Sequence, residues 1–288
     1  MKPASFRYAA VETVDEAVAL LAEHGDEAKV LAGGQSLVPL MNLRLAEPGL
    51  LVDVNRVAGL DGIAANGVVE LGATARQADV ERSPAVAAAA PLVVRGLQRV
   101  AYPTVRARGT IGGSIAHADP AAELPAVLLA LGGEVVARGP GGERTIAADD
   151  LFRGYFTTAL APDELLVRVR VPAAAPGLRV GLDEVARKQG DFALAGAAVA
   201  VEVDEAGTCR SARVAVFGVA DRPIRLAAAE QALVGRPLAD AAARDEAAAA
   251  ALALDTRGDG HASAEYRREA AAAMVRRALA QATDGGAR

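Results

Sequence analysis

The stretch VLAGGQSLVPLMNLRL, Val30 to Leu45, breaks an apolar run at Gly33 and Gly34 and resumes it with a different period. Before the break, AKVLA reads as a strand; after it, Leu37 to Leu45 carries apolar residues at helical spacing. A strand that turns over two glycines into a helix is a building unit of α/β architecture. The flanks continue the alternation. TVDEAVALLAEHG has a Thr or Asp cap, apolar residues three and four apart and Gly25 as a stop, which predicts a helix, and LLVDV predicts the next strand.

Further along, Asn66-Gly67 between two short apolar runs predicts a tight hairpin, and GGEVVARGPGGERTIAADDLF predicts a second, turned at Gly139 to Gly142. Between them, TARQADVERS and PLVVRGLQRVA read as helices. Residues 171–177, VPAAAPG, lack periodicity and read as a linker. Beyond it come strands first, LRVGLDEVARK, LAGAAVAVEV and SARVAVFGV, then helical stretches from Leu226 to Ala282, one of them the alanine-rich DAAARDEAAAAALAL. That order predicts an α+β domain with helices on one sheet face.

Composition removes several function classes. Hydrophobic residues make up 52% of the 288, but much of this is alanine, and charge or glycine interrupts every longer apolar segment before bilayer-spanning length. A net charge of -5 argues against a nucleic-acid surface. MKPASFRYAA lacks the apolar core of a signal peptide and the lone Cys209 allows no internal disulfide, so the expected location is the cytoplasm. One thiol cannot ligate an iron–sulfur cluster, and His24, His117 and His261 lack ligand spacing, so no metal is expected within this chain. Cys209 opens an alternating strand with no histidine nearby, which reads as a small, partly buried residue rather than a nucleophile.

Residues without a Cβ let backbone N–H groups converge on an anion, and Gly33 and Gly34 lie where a helix dipole adds to that field. Gln35 and Ser36 add side-chain donors. The loop is therefore a phosphate cradle or an ordinary tight turn; no Gly-Lys-Ser/Thr follows, and no Rossmann fingerprint is present. A second stretch, RGTIGGSIAHADPAAELP at 108–125, sets Gly112-Gly113 against hydroxyls at Thr110 and Ser114 and then supplies acceptors at Asp119 and Glu123. Two such loops suit a pyrophosphate, and carboxylates suit ribose hydroxyls, which together point to a dinucleotide.

AGGQSLVPLMNLRLA and RGTIGGSIAHADPAAELPAVLLAL resemble the two flavin-binding motifs of the FAD-binding middle subunit of molybdenum-containing hydroxylases, the group of carbon monoxide, nicotine and xanthine dehydrogenases. LFRGYFTTALAPDELLVRVRVP and EVARKQGDFALAGAAV resemble further segments of that family in the same order, so the likeness covers essentially the whole chain. It implies an α+β fold: two α/β subdomains of the PCMH type gripping FAD, at 1–57 and 58–176, and a C-terminal antiparallel sheet with helices at 177–288. By the same resemblance Val30, Leu31, Ala32, Gly33, Gly34, Gln35, Ser36 and Leu37 contact the pyrophosphate from one side, and Gly109, Thr110, Ile111, Gly112, Gly113 and Ser114 from the other. Glu123 stands where the family more usually has an aspartate on the adenosine ribose. Val100 and Ala101 match the adenine end, and Leu160 an apolar contact.

Lys188 to Phe192, KQGDF, match the loop near the isoalloxazine. Phe192 either covers a flavin face or sits in the core beside the following strand, and Lys188 either faces the reduced flavin or solvent. His117 either touches the cofactor or simply hydrogen-bonds. Asp149-Asp150 read as a helical cap, Arg106 and Arg108 as surface arginines holding the loop, and Arg267-Arg268 with Arg276-Arg277 as a solvated or subunit-facing stripe. The resemblance implies an electron-relay subunit, with molybdopterin on a large partner chain, [2Fe-2S] clusters on a small one, and a dimer of heterotrimers as the assembly. A free-standing FAD-dependent oxidoreductase and a nucleotide-supported binding module are the alternatives.

Overall fold

A computed structural model describes residues 2–285; Met1, which opens the expected first unit, and residues 286–288, which close the last, lie outside the described residues. The first layer is built from β1 (Arg7–Ala10), α1 (Val14–His24), β2 (Ala28–Leu31), α2 (Leu37–Asn42) and β3 (Leu50–Asp53). Its strands run parallel in the order β1-β3-β2. α1 starts at a capping box in which Thr13 accepts from Glu16 N and the Glu16 carboxylate accepts from Thr13 N. α2 ends at Asn42 rather than at Leu45, because Arg44 adopts φ +57°, outside the helical region.

The second unit opens with the expected hairpin, β4 (Ile63–Asn66) and β5 (Val68–Gly72). Short helices follow: α3 (Gln77–Arg82), α4 (Pro84–Ala89), α5 (Pro91–Arg99), α6 (Pro103–Arg106), α7 (Ile111–His117) and α8 (Glu123–Ala130). Then come β6 (Glu134–Gly139), β7 (Gly142–Ala147), α9 (Ala148–Leu151), the small pair β8 (Phe152–Gly154) and β9 (Thr157–Thr158), and β10 (Leu165–Pro172). The sheet is antiparallel in the order β4-β5-β10-β6-β7. Every residue of α8 is buried, as suits a helix apolar on all sides. Val171 and Pro172 pair with Val69 and Val68, so the expected linker shortens to 173–177; proline is tolerated there because the ladder ends with it.

The third sheet is β11 (Leu178–Ala186), β12 (Ala193–Val203), β13 (Cys209–Phe217) and β14 (Ile224–Arg225), antiparallel in chain order. α10 (Ala227–Leu233), α11 (Ala241–Ala249) and α12 (Ala264–Thr283) cover one face, as the strands-first order predicts. The other face is covered too: Val180, Leu182, Ala198 and Phe217 share a core with α5, α7 and α8. Small residues make the first packing tight. A Cβ on Gly181 would lie 1.9 Å from Ala278 O, so α12 rests directly on the β11 backbone.

Candidate functional site: the seam between two glycine loops

Between β2 and α2 the chain turns through Gly34, whose φ of +70° an L side chain would strain. Among the described residues no acceptor takes the backbone N–H groups of residues 33–37. Gln35 turns its side-chain amide back onto Gly33 O at 3.1 Å, while the Ser36 hydroxyl makes no cap bond. The loop therefore presents a run of open donors with one face supported from within.

The second loop meets the first backbone to backbone. A Cβ on Gly33 would lie 2.4 Å from Arg108 O and 2.9 Å from Gly109 Cα, so only glycine permits the approach. Thr110 caps α7 by accepting from Gly113 N at 3.1 Å. Its neighbours spend their donors differently from those of the first loop. Ile111 N donates to Ala75 O, Gly112 N to Ala73 O and Ser114 N to Thr110 O. Gly112 is small because a Cβ would lie 2.6 Å from Ala73 Cα. The two loops are thus not equivalent cradles. The first offers donors; the second is a wall, braced to the chain leaving β5.

A second cluster forms around Glu123, the first residue of α8 and 7% exposed. Burial pushes its carboxyl up to about 8, the Glu184 and Asp119 charges adding to the effect and Arg106 opposing it. Burial likewise raises Glu184 to about 7, and its Oε2 has no hydrogen-bond partner among the described residues. Arg106 is not the surface arginine its sequence context suggests. It is buried, donates to Glu81 at 2.7 and 3.1 Å and to Val100 O at 2.9 Å, and so fixes the Val100–Ala101 segment, where Ala101 has φ +41°. Next to it, the Tyr102 hydroxyl donates to Gln189 O at 2.8 Å and its ring packs on Gly190. The segment matched to the adenine end and the 188–192 loop therefore adjoin. Lys188 is exposed, and Phe192, 65% exposed, is no core aromatic.

At the end of α7, the half-buried His117 ring lies tilted against Phe156 with centroids 5.0 Å apart, and burial lowers its pKa despite the opposing Asp119 charge. Leu160 is half-buried against the core, its N–H donating to Thr158 Oγ1. Asp149 is not the expected cap: with Ala147 at the N-cap of α9, its carboxylate instead accepts from Arg213 at 2.8 Å and Arg225 at 3.2 Å, tying the second unit to the third sheet. Arg267 does not belong to a solvated stripe either. It is buried and donates to Leu194 O, Gly218 O and Asp259, whereas Arg276 is an exposed ion pair with Asp245. Cys209 is buried, donates to Ser211 O and has its thiol pushed up to about 11, chiefly by burial. Sequence reasoning missed Asn55, Arg76, Gln77, Tyr102 and Glu184, whose roles depend on contacts far along the chain.

Open backbone donors walled by a second glycine loop, with a buried carboxyl on an adjacent helix, suit a dinucleotide in a chain of mixed α+β class. Residues 4–174 match the family described as FAD binding domain in molybdopterin dehydrogenase, and residues 182–282 the one described as CO dehydrogenase flavoprotein C-terminal domain. The chain is 44% identical over 283 residues, 98% of its length and 96% of the relative's, to the 6-hydroxypseudooxynicotine dehydrogenase complex subunit alpha of Paenarthrobacter nicotinovorans. It is 41% identical over 285 residues, 97% of each chain, to the carbon monoxide dehydrogenase medium chain of Hydrogenophaga pseudoflava. A carbon monoxide dehydrogenase structure from Hydrogenophaga pseudoflava aligns with TM-score 0.94 and 42% identity over 98% of both chains. Quinoline 2-oxidoreductase from Pseudomonas putida 86 aligns with TM-score 0.92 and 36% identity over 99% of both. The chain belongs to this family of FAD-binding medium chains of molybdenum hydroxylases, and is an oxidoreductase component with FAD as its cofactor. No helix among the described residues is long and apolar enough to cross a membrane.

Proposed function

We propose that this chain is the electron-relay flavoprotein of a cytoplasmic heterotrimeric complex, taking electrons from [2Fe-2S] clusters on a small partner chain and passing them to an external acceptor. A large partner would carry molybdopterin and the substrate site, and two heterotrimers would pair. In this reading units 1–57 and 58–176 grip the cofactor and 177–288 supplies the KQGDF loop. The observation that carries it is the seam: unpaired N–H groups at 33–37 abutting Gly109 in a chain similar over its whole length to medium chains.

The residues present suit FAD. The donors of 33–37 and the Ser36 hydroxyl would hold pyrophosphate oxygens, with residues 109–114 closing the opposite side. Glu123 would accept from ribose hydroxyls, Val100, Ala101 and Leu160 would line apolar parts, and Phe192 and Lys188 would lie at the ring. When bound, FAD can take up electrons one at a time and give them up singly or as a pair, which is what a relay from one-electron clusters to a two-electron acceptor requires. The chain's own contribution is to hold and orient the cofactor. Its single thiol is buried and cannot build a cluster, which supports placing the clusters on another chain.

The test is co-expression with the chains encoded beside it and isolation through a tag on this chain. Recovery of FAD at about one per chain together with a large and a cysteine-rich small partner is the expected result. A lone flavoprotein that oxidises a small organic substrate without partners would overturn it in favour of a free-standing oxidoreductase.

A further inference from the structure

The two glycine loops are far apart in the chain, yet they touch. What holds them in contact is a ring of hydrogen bonds outside either loop. Asn55, just after β3, donates through Nδ2 to Ala32 O at 2.9 Å, at the foot of the first loop. Arg76, just before α3, donates through Nη2 to Asn55 Oδ1 at 2.7 Å and through Nη1 to Arg108 O at 2.6 Å. That same Arg108 carbonyl lies against Gly33, which closes the ring back on the first loop.

Both ends of the ring are anchored. The Asp53 carboxylate accepts from Asn55 N at 2.9 Å and Asn55 Nδ2 at 2.6 Å, fixing the amide so that Oδ1 faces Arg76. Tyr8 donates to the other Asp53 oxygen; although burial works against ionisation, the Tyr8 and Asn55 bonds hold the carboxyl below its usual range. Arg76 is fixed by its backbone, since it sits opposite Thr110 in an antiparallel bridge flanked by Gln77 N to Gly109 O and Ile111 N to Ala75 O. A planar guanidinium can bridge two acceptors at a set angle; an ammonium cannot do so with the same rigidity.

We propose that Asn55 and Arg76 are positioning residues that set the gap between the two loops, and with it the chain's grip on the FAD pyrophosphate. This rests on the reading that the seam holds that pyrophosphate. Arg76 acts here through its neighbours: two of its donors are committed to protein carbonyl oxygens of Asn55 and Arg108.

The experiment is FAD titration of the deflavinated full chain, followed by flavin fluorescence, for wild type, Asn55→Ala, Arg76→Met, Arg76→Lys, the Asn55→Ala/Arg76→Met pair and Gly33→Val, at low and high salt. Melting of each apo-protein checks folding. A latch predicts about 10- to 100-fold weaker FAD binding for Asn55→Ala and Arg76→Met, from loss of charge-assisted bonds. It predicts a double variant no weaker than the worse single one, no rescue by Arg76→Lys, and a defect insensitive to salt. Rescue by lysine together with a defect that shrinks at high salt would make Arg76 a direct phosphate contact and overturn the latch. Wild-type affinity in Arg76→Met and Asn55→Ala while Gly33→Val loses FAD would overturn the latch alone. Retention of FAD by Gly33→Val as well would remove the seam reading on which it stands.

Discussion

At the scale of single residues, the strongest statements concern atoms that have no room or no partner. Gly33→Val places a branched side chain where even a Cβ would lie 2.4 Å from Arg108 O, so it is expected to part the loops and abolish FAD retention, read as loss of visible absorption in the purified chain. Glu123 gives a pH signature. Its folded value of about 8 lies above its ordinary 4.5, so between these the native apo-protein keeps a proton that the unfolded chain has released. Apo stability therefore falls as pH rises from 4.5 to about 8, and the penalty is absent below 4.5. Glu123→Gln is expected to raise the apo melting temperature at pH 8, by an effect on the order of a few kcal/mol, and to leave it nearly unchanged near pH 4.5. If ribose hydroxyls donate to the carboxylate, FAD binding favours its ionised form, so wild-type affinity rises toward pH 8 and the Gln variant is flat. Equal pH dependence in both would remove Glu123 from the ribose. The sequence located both stretches, because paired glycines beside hydroxyl and amide side chains are a local signal. It did not locate Arg106 inside the protein, because a charged residue beside a loop looks exposed until its partner Glu81, on another helix, is brought to it.

At the scale of elements, caps and turns were legible where the instruction is local. Thr13, one of the two caps the sequence offers, opens α1, and Asn66-Gly67 and Gly139–Gly142 turn the hairpins their flanks imply. What local reading could not supply was the end of α2 at Arg44, a residue whose left-handed backbone no composition rule favours. Nor could it show that the third sheet is buried on both faces, since that depends on which helices of the preceding unit fold back onto it. Two substitutions test the packing. Gly181→Ala puts a methyl 1.9 Å from Ala278 O and is expected to cost roughly 1–3 kcal/mol by lifting α12 from β11, measured by denaturant unfolding. Ser263→Ala removes the acceptor for Tyr266 N at the start of α12 and is expected to cost about 1 kcal/mol.

At the scale of the whole molecule, the three larger sheets are joined rather than strung together, the first sharing a core with Val136, Leu165 and Val167 of the second. Phe217, Val180 and Leu182 of the third sheet lie in the same core as Leu71 and Leu97 of the second unit, and Asp149 crosses the same boundary to Arg213 and Arg225. A fragment of residues 177–288 would expose that face, and is expected to bind a hydrophobic dye and to lack the cooperative melting of the full chain. Electron relay is tested most directly by rapid mixing. The flavin-loaded chain, alone and assembled with the proposed cluster-bearing partner, is mixed anaerobically with that partner pre-reduced, and separately with small organic reductants, while the flavin absorption is followed. A relay requires fast bleaching by the reduced cluster chain and none by the small organic compounds acting on the flavoprotein alone. Bleaching of the isolated flavoprotein by a small compound, with no response to the reduced cluster chain, would contradict it.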